Sequence, residues 1–135
     1  MVQLRKQPAG LRIVFGIHAA LTFAAFVVLV ARPTAIPGRV GLHLDPPAYL
    51  VCRLLAAAEL GLSVMSWGAR TITDVKALRL IITTFVVFHA VSGLLEIYAF
   101  TKGLSPAIWG NVGLRMVVIA FFVWYGKTLA HHETS

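Results

Sequence analysis

Four runs of apolar residues, 11–31, 48–67, 78–100 and 108–125, constrain this chain more than any motif it carries. Each is close to the roughly 20 residues that cross about 30 Å of hydrocarbon as a helix. Lipid offers no partner to a backbone N–H or C=O, so runs of this kind satisfy those groups internally as helices. The expected fold is all-α: a polytopic membrane protein, a four-helix up-down bundle forming one transmembrane domain over residues 1–135. The first run follows Arg5, Lys6 and Arg12, as the core of a signal peptide would. Its 19 residues from Ile13 to Ala31 exceed the roughly 7–15 of a signal sequence, and no small-x-small cleavage site stands in register. A retained span is expected.

Composition supports this reading. Apolar residues make up 59% of the chain and charged residues 13%, against about half and about a quarter in soluble domains. That balance excludes disorder and argues against a soluble enzyme. The net charge of +7 would suggest a nucleic-acid partner in a soluble protein. Here the basic residues lie mostly between the apolar runs, with no basic helix and no aromatic-basic stripe. Membrane lipid headgroups are the expected partner and nucleic acid is not. Cys52 is the single cysteine, so no intrachain disulfide can form.

The connections carry helix-breaking residues. Residues 32–47 hold four prolines and two glycines, which are not expected to continue a helix. Residues 68–77 form a tight polar hairpin, and 101–111 contain Gly103, Pro106 and Gly110. Seven Lys/Arg (Arg5, Lys6, Arg12, Arg70, Lys76, Arg79 and Lys127) fall on one side, against three (Arg32, Arg39 and Lys102) on the other. The excess places both termini in the cytoplasm, across a bacterial plasma membrane or an ER-type membrane. Tyr49, Tyr98 and Trp109 anchor one interface, and Trp67, Trp124 and Tyr125 the other. Small residues at four-residue spacing, Gly16, Ala20 and Ala24 in span one and Ala57 and Gly61 in span two, suggest closely packed helix faces. The Gly110–Gly113 segment reads as a helix start, and His131-His132 as a solvated tail.

Ionisable side chains inside the runs cost about 2.5–3.5 kcal/mol each at a helix centre, so the six present need a reason: His18, Arg53, Glu59, His89, Glu96 and Arg115. In straight antiparallel hairpins, Arg53 is level with Glu96 and Glu59 with His89. Arg115 comes within about a turn of Glu96, and His18 lies near Glu59. His89 and Glu96, seven apart, share a face. Arg53 and Glu59, six apart, point about 120° away from each other, so only one of them can face span three. Two layers follow. Arg53, Glu96 and Arg115 lie in the outer third, and His18, Glu59 and His89 near the midplane, with Ser63 and Ser92 a turn away as hydrogen-bond partners.

The outer layer reads either as an ion-paired clamp or as a seat for an anionic group on the guanidinium forks, with Arg53, Glu96, Arg115 and Ser92 as ligand-binding candidates. The midplane layer reads as a polar core fixing helix register, or as acid/base machinery with Glu59 the general acid and His89 and His18 orienting it. Two histidines and a carboxylate also suit non-haem iron. No paired HxxxH or ExxH motif supports that, so neither metal nor cofactor is expected. No phosphate loop, nucleophile elbow or HExxH is present.

Arg53, Arg70 and His89-Ala90-Val91-Ser92 followed by Glu96 set in-span and loop arginines ahead of a His-x-x-Ser and a glutamate in the next span. Over about a third of the chain this layout resembles the small four-helix ergosterol-biosynthesis scaffold family of membrane proteins. The glutamate falls later here than in that family's pattern. The resemblance implies a non-catalytic role beside enzymes acting on sterol-like or isoprenoid lipids. The residues themselves favour a lipophilic ligand, isoprenoid-, sterol- or polyketide-like, in an intramembrane crevice bordered by span two. There Glu59 would run a cofactor-free cyclisation or isomerisation. A scaffold or accessory subunit for a membrane enzyme and a small proton-coupled transporter, oligomeric to enclose a pathway, are the other readings.

Overall fold

A computed structural model describes residues 6–131; Arg5 and His132, used in the charge count and the tail reading, lie outside the described residues. The elements are α1 (Ala9–Ala31), α2 (Ala35–Arg39), a single 3-10 turn (Pro46–Ala48), α3 (Tyr49–Ala69), α4 (Val75–Thr101) and α5 (Ile108–His131). Four of these helices, α1, α3, α4 and α5, are long and apolar enough to cross a membrane. The protein is thus an all-helical four-span bundle.

Helix ends follow local chemistry rather than hydropathy. α4 begins at Val75, three residues before its apolar run, because the Asp74 carboxylate caps it by accepting from the Ala77 N–H at 2.7 Å. α5 continues six residues past Tyr125, through Lys127 and Thr128, which the hydropathy limit had left out. The first connection is not free of helix. Pro37 sits at the third position of α2, where its missing N–H is one that a first turn leaves unbonded anyway. Gly41 then turns the chain with φ of 83°. The first and third connections meet, the Ser105 N–H donating to the Val40 carbonyl at 3.1 Å.

The backbones approach closely within two antiparallel hairpins, α1 with α3 and α4 with α5, and hardly at all between α3 and α4. The hairpins join through large side chains at the end bearing Lys6, Arg12, Arg70, Lys76, Arg79 and Lys127, hereafter the basic end. There Leu11, Phe15, Leu62, Leu78, Phe85 and Phe122 belong to one buried cluster drawn from all four spans. The Phe15 and Phe122 rings lie 5.5 Å apart and those of Phe85 and Phe122 5.3 Å. Towards the opposite end α1 and α3 keep a separate cluster of Leu29, Cys52 and Ala56.

The small-residue stripes do not make these contacts. Ala20, Ala24, Ala57 and Gly61 face outward, and a side chain at Gly61 would meet nothing within 4 Å. The α1–α3 seam uses a neighbouring face, with Ala19 and Ala56 buried and Ser63 donating to the Ala19 carbonyl at 2.8 Å.

Candidate functional site

Four of the six in-span ionisable groups gather around His89, in the middle of α4. His89 Nε2 lies 2.8 Å from His18 Nε2 on α1, and His89 Nδ1 lies 3.2 Å from Arg115 Nη1 on α5. His18 Nδ1 lies 2.6 Å from Ser66 Oγ on α3, and that hydroxyl donates to the Leu62 carbonyl at 2.8 Å. A single network therefore touches all four spanning helices.

Donor counting fixes every hydrogen in it. A guanidinium only donates, so His89 Nδ1 accepts from Arg115. His89 Nε2 then carries the ring hydrogen and donates to His18 Nε2. His18 keeps its own hydrogen on Nδ1 and donates it to Ser66, whose hydroxyl hydrogen goes to Leu62. The assignment closes with both imidazoles neutral and both ring nitrogens of each bonded to protein. Phe85 and Phe122 shut the site, their ring centroids 4.6 and 5.3 Å from that of His18. His18 is 3% exposed and His89 7%, so neither ring presents a free nitrogen to a metal or a substrate.

Above the imidazoles, Arg115 Nε and Nη2 both lie 2.9 Å from Glu96 Oε1. The Asn111 side-chain amide donates to the same oxygen. Glu96 Oε2 is buried and accepts from no donor among the described residues.

The sequence-derived layers are regrouped accordingly. His18 and His89 meet, and so do Glu96 and Arg115, but Arg115 ties the two levels into one network. Glu59 does not join the histidines. Partly buried on α3, it makes no hydrogen bond or ion pair among the described residues. Arg53 is exposed and stands apart from Glu96. Ser92 makes no side-chain hydrogen bond among the described residues, and Ser63 bonds backbone instead of Glu59. Equal depth on α3 and α4 did not produce contact because those two helices are splayed.

Two members of the network escaped the sequence reading. Asn111 lies four residues before Arg115, one turn away on the same face, and that spacing was a usable signal. Ser66 was hidden by the first connection. That connection sets an α1–α3 register in which His18 meets Ser66, about two turns of α3 from Glu59.

Fold and site together define a small four-span integral membrane protein pinned by a histidine–arginine–glutamate network. No protein-family model matches the chain, and neither a curated protein nor a solved structure similar to it was found.

Proposed function

We propose that the protein binds a lipophilic molecule, isoprenoid-, sterol- or polyketide-like, in the seam between its two hairpins on the side away from the basic end. The carrying observation is one unserved carboxylate oxygen on Glu96, together with an unbonded carboxyl group on Glu59. Glu96 Oε2 is buried with no donor, and Glu59, partly buried on α3, makes no hydrogen bond or ion pair among the described residues. A buried acceptor without a partner is costly, about 1–3 kcal/mol, and a hydroxyl on the polar end of a lipid would satisfy it. Beyond the His18–His89 bond the hairpins touch again where the Ser105 N–H meets the Val40 carbonyl, so a ligand enters only if they part between those two points. Such parting is required, because the surface grooves on α1, on α5 and between α4 and α5 are not lined by Glu59 or the histidines. The chemistry suited to a lone carboxyl in an apolar seam is cofactor-free proton transfer, an isomerisation or cyclisation with Glu59 as the acid. In this reading His18 and His89 act as a pin, because their hydrogens are committed within the protein.

The test is to purify wild type and Glu59→Gln from the same membranes and compare the co-purifying lipids by mass spectrometry. A molecule enriched in wild type and depleted at least tenfold in the variant supports the proposal. Identical lipid profiles for wild type, Glu59→Gln and Arg115→Gln would remove it.

A second reading, a scaffold or accessory subunit beside a membrane enzyme, draws on the outward-facing Ala57 and Gly61 and on the ergosterol-scaffold resemblance. Small residues exposed to lipid allow a partner helix to approach closely. In that case Glu59→Gln is silent, and Gly61→Leu releases a co-purifying protein.

A further inference from the structure

At the basic end a groove of about 470 Å3 runs along α1, lined chiefly by Arg12, Ile13, Gly16, Ile17, Ala20 and the Arg70 that follows α3. Two arginines, one on α1 and one in the turn after α3, line it, and no carboxylate does. Neither arginine has an acidic partner among the described residues. Arg70 is held in place. Its guanidinium lies 4.1 Å from the centroid of the Trp67 ring, and its Nε is buried without a hydrogen-bond partner. The bare backbone of Gly16 lies against it, where an added Cβ would already be in contact at 3.7 Å. Below the arginines the wall is apolar, with Ile13 61% and Ile17 57% exposed.

We infer that this groove holds one anionic phospholipid, its phosphate between Arg12 and Arg70 and an acyl chain along Ile13, Ile17 and Ala20. Cationic forks with no protein anion suit a phosphate. The apolar wall continuing into the span selects a lipid over a free phosphate, which would use only the arginines. The Lys/Arg-rich end of the bundle is also the one that faces the anionic leaflet. The inference is independent of the seam proposed above, which lies towards the other end of the bundle.

Trp67 supplies the probe. In a W109F/W124F protein reconstituted into phosphatidylcholine vesicles, bromine-labelled phosphatidylglycerol is compared with bromine-labelled phosphatidylcholine as a quencher of Trp67. Phosphatidylglycerol is expected to be preferred, and the preference to fall about fivefold on Arg12→Gln and again on Arg70→Gln, since a basic side chain near the surface contributes about 1 kcal/mol. Arg12 is exposed, so its variant tests the site even if the Arg70 variant fails to fold. Lys127→Gln, outside the groove, is expected to leave the preference unchanged. Equal quenching by the two lipids, a preference that survives Arg12→Gln, or one abolished equally by Lys127→Gln overturns the inference. So does displacement by millimolar inorganic phosphate, which would identify a free anion as the ligand.

Discussion

His89 ties α4 to α1 and α5 through bonds to His18 and Arg115, and His18 brings in α3 through Ser66. Truncating either imidazole leaves its partner's ring nitrogen buried and unbonded, at about 1–3 kcal/mol. Replacing both removes donor and acceptor together, so the double variant H18L/H89L is expected to be less destabilised than the sum of its singles. Interhelical polar pairs in membranes couple by about 0.6 to 1.7 kcal/mol, and unfolding of the four proteins in mixed detergent–SDS micelles measures that coupling. Strict additivity would mean that the two rings are neighbours without a bond. The residues of this network were largely visible in the sequence, because a charge or imidazole inside an apolar run stands out. Their partners were not, since Asn111 and Ser66 are ordinary polar residues until the helices are assembled.

At the scale of elements, α1 and α5 touch closely at one place near the basic end, Gly10 against Tyr125. A Cβ added at Gly10 would fall 2.0 Å from the Tyr125 hydroxyl oxygen but 3.0 Å from the ring carbon behind it. Gly10→Ala is therefore expected to destabilise the bundle by about 1–3 kcal/mol, as overpacking does, and Tyr125→Phe to recover much of that loss. Thermal unfolding of both variants and their combination decides it; a combination no better than Gly10→Ala alone places the cause elsewhere. Helix identity was legible from length and hydropathy, whereas helix ends were not. The Asp74 cap and the polar turns Lys127 and Thr128 add lie beyond the apolar runs, and α2 tolerates Pro37 because it falls within the first turn.

At the scale of the whole molecule, two hairpins meet through an apolar cluster, a polar network and a contact between their connections at Ser105 and Val40. Chains divided in the 70–74 connection would each keep an intact hairpin. Co-expressed fragments ending at Thr71 and beginning at Ile72 are expected to co-purify, and His89→Leu to weaken their association. Fragments that both insert but never associate would contradict a bundle assembled from two preformed units.

Hydropathy and length are properties of consecutive residues, so the chain itself determined four spans, their punctuation and the side chains too polar to face lipid. Which of those side chains meet depends on neighbour choice and register. These were decided by packing between residues as distant as His18 and His89, 71 positions apart. Close approach within each hairpin and separation between α3 and α4 left Glu59 without a bond to the histidines, although counting along straight hairpins puts them level. Depth follows from counting along a helix; contact requires knowing which helix stands beside it.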